Sequence, residues 1–213
     1  MKVVWFTWKD KKNPAAGGAE VIDDGLATRL ARDGHDVLMV TVGFPGGEKE
    51  ETVNGYQIVR LGNRFSVYWF TYRYYKKYLQ GKADVVIDEI NTVPFFAKCY
   101  VKEKSIILCY QLCREIWFYQ MFFPFNVIGY LVEPFYLWLL RKQTVLTESE
   151  STKKDLQRYG FDANKIFVFN IGLEIAPVKN LHAIKKYDAP TMLYLGTLRS
   201  MKRPLHVVRS FEM

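Results

Sequence analysis

Apolar positions along the chain change their period several times, and each change marks an element. Val3 to Thr7 is an unbroken β-branched and aromatic run, the form of a strand buried on both faces. "KDKKNPAAGG" follows it as loop chemistry. From Ala19 the spacing turns helical: Val21, Ile22, Leu26, Leu30 and Ala31 recur on one face, and Gly34 stops the helix before a second apolar run, Val37 to Val42. "ETVNGYQIVRL" sets Asn54-Gly55 between two β-rich arms, which predicts a hairpin with a tight turn. A helical stretch runs from about Ser66 to Leu79. "ADVVIDE", "KSIILCY", "QTVLT" and "KIFVFN" are short runs suited to buried strands. "ESESTKKDLQRYGF" reads as a helix with Thr152 and Asp155 at capping-box spacing and Gly160 as its stop.

Strands that alternate with helices predict an α/β fold, a doubly wound and mostly parallel sheet of Rossmann type. Ligands of such sheets sit at the carboxyl ends of the strands. "AAGGAE", Ala15 to Glu20, lies where the first strand hands over to the first helix. Its glycines let a phosphate or sugar approach the backbone, or they simply make a tight turn; composition does not separate the two. There is no G-x-G-x-x-G, and the second strand ends "VLMVTVG" without an acid for a ribose hydroxyl, which argues against a dinucleotide fold. A P-loop NTPase is excluded because G-x-x-x-x-G-K-[ST] is absent. At Thr191 the pattern restarts, and "TMLYLG" predicts a new buried strand. The expected organisation is therefore a Rossmann-like domain over residues 1–174, a linker over 175–190, and the first strand and helix start of a truncated second domain over 191–213.

Composition adds a partner class. A chain that is 16% aromatic with a net charge of +8 suits something anionic and partly apolar, a phosphorylated ligand or a membrane surface. Three cysteines without a C-x-x-C pair and three scattered histidines predict neither a disulfide framework nor a metal site. The first apolar run, Val3 to Trp8, is too short for a signal peptide, so a cytoplasmic chain is expected. From Thr52 to Ala83 there is no acid, while Arg60, Arg64, Arg73, Lys76, Lys77 and Lys82 are present. On a helical wheel Tyr68, Tyr72, Tyr75 and Leu79 form one stripe, with Trp69 and Phe70 beside the basic face. Arg73, Lys76, Lys77 and Trp69 thus form a candidate set for an anionic membrane surface, with a core-packed helix and a solvated basic edge as the equal alternative. Nucleic acid ranks lower, since no RRM, KH or helix-turn-helix pattern accompanies the stretch. The segment from Ile116 to Leu140 is more apolar, but Gln120, Pro124, Asn126, Glu133 and Pro134 interrupt it. It predicts a loop and helix whose apolar character suits a lipid-linked ligand or membrane docking.

"GGAE", "LATRLARDGHDVLMVT", "VNGYQIVRLG", "VLTESESTKKDLQRYGF", "KIFVFNIGLE" and "TMLYLGTLRSMKRP" resemble, in order and spacing, family 4-type glycosyltransferases of the GT-B fold. The resemblance implies two Rossmann-like domains facing across a cleft, the first binding acceptor and the second the nucleotide sugar. This chain would be the N-terminal half, inactive alone, with the family's paired donor-binding glutamates beyond Met213. It further implies hexosyl transfer, generally with retention, from a UDP- or GDP-sugar bound as substrate with no tightly held cofactor. The acceptor would be a glycan or lipid-linked molecule of cell-envelope synthesis, met at the inner membrane face. By resemblance Gly17 and Gly18 close on the donor diphosphate; in a segment reading Gly196-Thr197-Leu198 where the family commonly has G-R-L, Arg199 substitutes beside the retained Lys202 as its basic pair, or the two are ordinary solvated loop charges. Sugar and acceptor contacts fall to Glu20, Tyr110, Gln111, Arg114, Glu115 and Ser149; Tyr110-Gln111 stands where a histidine is common, so that role is kept with altered sugar preference or lost, and Arg114 with Glu115 is an acceptor-orienting pair or an ordinary surface ion pair. No residue is assigned as catalytic; Asp88 and Glu89, at a strand end, are the best acidic candidates. The alternative from another class is a non-catalytic Rossmann-like domain that docks a partner protein or membrane.

Overall fold

A computed structural model describes residues 1–172, 176 and 178–211. The expected domain boundary at 174 and 175, and the last two residues, lie outside the described residues. The chain forms two compact units, one of residues 1–113 with 131–171, the other of 114–130 with 172–213.

The first unit is built on an eight-stranded sheet. Its strands are β1 (Lys2–Phe6), β2 (Asp36–Val42), β3 (Glu50–Val53), β4 (Tyr56–Leu61), β5 (Val85–Ile90), β6 (Lys104–Cys109), β7 (Thr144–Thr147) and β8 (Ile166–Val168). The order is β3-β4-β2-β1-β5-β6-β7-β8, and every pairing is parallel except β3 with β4. That exception is the predicted hairpin: Asn54 and Gly55 take φ of 49° and 92°, the doubly left-handed turn that Asn-Gly adopts at least cost. The helices are α1 (Gly18–Arg32), α2 (Val67–Tyr74, continued by a π-helical turn over Tyr75–Leu79), α3 (Ala97–Tyr100), α4 (Trp117–Gln120), α5 (Phe125–Leu140), α6 (Glu150–Arg158) and α7 (Pro204–Phe211). The predicted α/β, doubly wound, mostly parallel sheet is what the residues form.

Continuous apolar strands follow from burial on both faces. Along β1, Val3 and Trp5 pack with Met39, Ile58 and Ile87 on the α1 side, while Val4 and Phe6 pack with Val67, Tyr75 and Leu79 on the α2 side. Toward the other edge, Leu137 and Leu140 of α5 and Leu156 of α6 close over Ile107 and Val145. The tyrosine stripe of α2 does reach the core, joined by Val67 and Thr71, whereas Trp69 is 59% exposed.

Four expectations need correction. The buried ridge of α1 is Glu20, Asp23, Asp24 and Ala27, at helical spacing, while Val21 is exposed and Ile22, Leu26 and Leu30 are half-buried. The N-cap of α6 is Ser149, whose Oγ accepts from the Thr152 N–H at 3.1 Å; Thr152 is buried and donates its own hydroxyl to the Tyr110 carbonyl. Arg60 is no surface cation. It is buried, gripping Asp10 through two bonds of 2.8 and 3.0 Å and reaching Glu51 and the Glu48 carbonyl as well. Thr191 to Leu195 form no strand and are largely exposed, because a strand exists only by hydrogen bonding to a neighbour and none of the described residues pairs with them.

In the second unit, Trp117 of α4 is buried and lies against Gly129 in the first half of α5, where any side chain would collide with the indole. Phe122, Phe123 and Leu198 of this unit are exposed. Among the described residues no helix is long and apolar enough to cross a membrane.

The Asp10–Arg60 pair ties the loop after β1 to β4, and Phe44 stacks on the guanidinium at 5.0 Å. Removing Asp10 leaves the buried guanidinium only Glu51 and the Glu48 carbonyl. Asp10→Ala is expected to destabilise the chain by about 1.5–3 kcal/mol, and the double change Asp10→Leu, Arg60→Met to recover part of that loss, as read from urea unfolding midpoints.

Candidate functional site

The order of the sheet reverses direction at β1: the chain leaves it for β2 on one side and later enters β5 on the other. Crossover helices then depart to opposite faces, leaving a crevice beyond the carboxyl ends of β1 and β5. The loop that follows β1 brings Gly17 and Gly18 there, with Gly17 as the N-cap of α1. The Gly17 N–H donates to Glu20 Oε2 at 2.6 Å, and Glu20 Oε1 meets Lys9 Nζ at 3.1 Å. Lys9 also donates to the Ala15 carbonyl, so one carboxylate fixes both ends of the loop. The N–H groups of Gly18, Ala19 and Glu20, in the first turn, have no acceptor within the helix. They and the helix dipole favour an anion at this end.

The glycines themselves carry information. A Cβ on Gly18 would meet nothing within 4 Å, and one on Gly17 only the Glu20 carboxylate at an ordinary 3.5 Å. Packing within the protein does not require glycine at either position. The open space above Gly18 is what a close-approaching outside group would need.

One helical turn below, Asp23 Oδ1 accepts from the Tyr110 hydroxyl at 2.5 Å, and Glu89 Oε2 accepts from Trp5 Nε1 at 3.1 Å. Both carboxyls are buried, and the charge of Glu89 acts on Asp23. One oxygen of each, Asp23 Oδ2 and Glu89 Oε1, has no hydrogen-bond partner. Burial without a full set of donors favours the protonated form of a carboxyl. Burial pushes Glu89 up from 4.5 to about 7. Burial and then the Glu89 charge hold Asp23 well above the usual carboxylate range. The Tyr110 hydroxyl is driven upward by burial and by Asp23, and stays a donor. Asp24, the next acid of the ridge, is matched by the Tyr56 hydroxyl at 2.8 Å and Lys11 at 2.7 Å.

The two acidic candidates from the sequence therefore do different work. Glu89 lies with Asp23 in the buried acidic pair beneath the glycine loop. Asp88 faces the opposite side of the sheet, where its two oxygens accept from the Phe95 and Ala97 N–H groups at 2.8 Å each. Burial raises it to about 6 despite those bonds. It shapes a turn and presents no free oxygen to the crevice.

Of the residues singled out from sequence, the first unit brings together Gly17, Gly18, Glu20 and Tyr110. The Tyr110 hydroxyl points down to Asp23, while Gln111 beside it is exposed. Ser149 is occupied as the cap of α6, linked through Thr152 to the Tyr110 carbonyl. Arg114, Glu115, Arg199 and Lys202 belong to the second unit. There Arg114 lies over the Tyr130 ring at 4.5 Å, Glu115 is exposed, and Arg199 and Lys202 are exposed at the ends of a short 3-10 turn. On α2, Lys76 turns back to the Tyr100 carbonyl, while Arg73 and Lys77 are exposed. Sequence reasoning missed Asp23, Asp24, Asp10 and Trp5. The acids were legible as an i, i+3, i+4 set with Glu20, but that pattern ordinarily marks a solvated face.

The sequence profile described as Glycosyltransferase Family 4 matches residues 16–176. No curated protein matches the chain. Among solved structures, sucrose-phosphate synthase from Thermosynechococcus elongatus is similar at 15% identity with a TM-score of 0.55, over 81% of this chain and 48% of that one. A second structure of that synthase from the same organism is similar at 12% identity with a TM-score of 0.54, over 82% of this chain and 91% of that one. The chain thus spans about half the length of the first of these structures (48%). At such identities the likeness concerns the fold, which is the Rossmann-like sheet of GT-B proteins.

The upward shift of the buried Glu89 carboxyl makes stability depend on pH. A carboxyl raised in the folded state binds its proton more tightly there than in the unfolded chain. Its contribution is complete below the unfolded value and is lost as pH rises through the folded one. Stability is expected to fall by on the order of 3 kcal/mol between the ordinary Glu value of 4.5 and about 7. Glu89→Gln keeps an acceptor for Trp5 and removes one titrating carboxyl, so its thermal midpoint should be flatter than the parent's across that range, with the remaining slope left to Asp23 and Asp88.

Proposed function

Because the chain belongs to glycosyltransferase family 4, we propose that it serves the transfer of a hexosyl group from a UDP- or GDP-sugar to a glycan or lipid-linked acceptor at the inner membrane face. The observation that carries this reading is the glycine pair at the start of α1, set at the switch point of the sheet with open space above Gly18. The nucleotide sugar enters as substrate and not as a resident cofactor.

In this reading the N–H groups of the first turn of α1 face the donor's diphosphate, and the absence of a side chain at Gly18 lets it come close. Glu20 acts as a positioning residue, since its bond to the Gly17 N–H and its pairing with Lys9 set the shape of the loop. Gln111, exposed beside Tyr110, meets a sugar hydroxyl through its amide. Arg199 and Lys202 add positive charge for the leaving nucleotide as it departs, and Arg114 and Glu115 contact the acceptor. The anomeric configuration is retained, and the product joins the synthesis of a cell-envelope glycan. As in the domain arrangement expected from sequence, residues 1–174 supply the acceptor side, 175–190 the link, and 191–213 the beginning of the donor side.

Gly18→Ala separates this role from a merely structural one. With nothing near the added methyl, the thermal midpoint should stay within about 2 °C of the parent. The kcat/KM for the nucleotide sugar, followed by UDP or GDP release in the presence of acceptor, should fall at least about tenfold, or ~1.4 kcal/mol of transition-state stabilisation. Absence of transfer from every UDP- and GDP-hexose tried with the complete protein would remove the proposal.

A further inference from the structure

The geometry of α5 points to a lipid-docking face: we propose that the second half of this helix lies on an anionic membrane surface through Leu131, Val132, Phe135, Trp138 and Leu139. A helix packed on a soluble core ordinarily has one apolar stripe. This one has two. Tyr136, Leu137 and Leu140 are buried against the sheet, with Glu133 among them. The five proposed residues recur at i, i+1, i+4, i+7 and i+8 on the opposite side, with Leu131 66% and Phe135 65% exposed. Glu133 is the one charged residue between 125 and 140, and it is turned inward, accepting from the Cys113 N–H at 2.7 Å. The outer stripe therefore offers water nothing but large apolar side chains, the mark of a surface that is covered in use.

The chemistry at the end of the helix identifies the cover. Phe135 and Trp138 stack with ring centres 6.3 Å apart, and the Arg141 guanidinium lies 4.2 Å over the indole while bonding to the Trp138 carbonyl. Exposed Lys142 and Lys165 stand beside it, joined by a bond from Lys165 Nζ to the Lys142 carbonyl. An apolar stripe that ends in an indole and three cations matches a bilayer edge, where rings sit at headgroup depth and cations meet phosphates. A second copy of the chain would bring the same +8 charge against these cations, whereas anionic lipid neutralises them. At 16 residues α5 is about 24 Å long, short of the ~30 Å hydrocarbon core, so it lies in the plane of the surface. The α2 face is the weaker candidate because Lys76 is spent on the Tyr100 carbonyl and on the Tyr72 and Tyr75 rings.

This inference rests on the membrane side of the proposed function and assumes nothing about sugar transfer, so the two can fail separately. The test uses the full chain with phosphatidylcholine vesicles, with and without phosphatidylserine. The protein should float with the phosphatidylserine vesicles, and brominated lipid should quench its tryptophan fluorescence. Trp138→Phe should remove most of that quenching, while Trp69→Phe leaves it. The double change Phe135→Ser, Trp138→Ser should weaken binding more than about tenfold with an unchanged far-UV spectrum, since both side chains are already exposed. No flotation with anionic vesicles would overturn the proposal, as would quenching that survives Trp138→Phe and vanishes in Trp69→Phe. A vesicle-free dimer dissolved by the double change would overturn it too and assign the face to self-association.

Discussion

The acidic ridge of α1 sets the terms for the rest of the first unit. Glu20, Asp23 and Asp24 are carried into the interior at the carboxyl ends of the strands, where an unmatched charge costs several kcal/mol. Each is answered in a different way: Glu20 by Lys9 and a backbone N–H, Asp24 by Lys11 and a tyrosine hydroxyl, Asp23 by Tyr110 and by an upward shift that burial and the Glu89 charge impose. Those answers come from the loop after β1, from β4, from β5 and from the residue that follows β6, so satisfying one helix face locks four parts of the chain into register. The fully buried apolar strands provide cohesion, and the acids make the arrangement specific.

The same requirement explains the state of the crevice. With Glu20 and Lys9 engaged in shaping the loop, and the Tyr110 hydroxyl turned toward Asp23, the polar groups left open at the glycine pair are the backbone N–H groups of the first turn of α1. Donors without a fixed countercharge suit a diphosphate better than a cation. The two buried carboxyls below them carry no role toward a ligand, because neither Asp23 nor Glu89 reaches the surface. They are structural elements that burial pushes toward the protonated form.

Much of the fold was legible in the order of elements. Every strand predicted between Val3 and Asn170 formed, the Asn54-Gly55 turn took the predicted left-handed pair of conformations, and the GT-B resemblance agrees with the family and the sheet. The glycine loop was legible too, as two adjacent glycines between a strand and a helix. The partners of charged residues were not. Arg60 stood in a run without acids and read as part of a basic surface, yet Asp10, fifty positions earlier, holds it inside. Ser149 read as a contact for a sugar and caps a helix. Thr191 to Leu195 had the composition of a strand, but composition supplies no neighbour to pair with.

Hydrophobic period and turn chemistry are local quantities, and by themselves they determined the α/β alternation, the hairpin and the position of the glycines. Whether a charge is solvated or buried depends on what lies across space, and only the tertiary structure decided that. A carboxylate at helical spacing is inexpensive in water and costly in a core, and the difference is made entirely by residues such as Lys9, Tyr56, Tyr110 and Glu89 that are remote from α1 along the chain and adjacent to it in the fold.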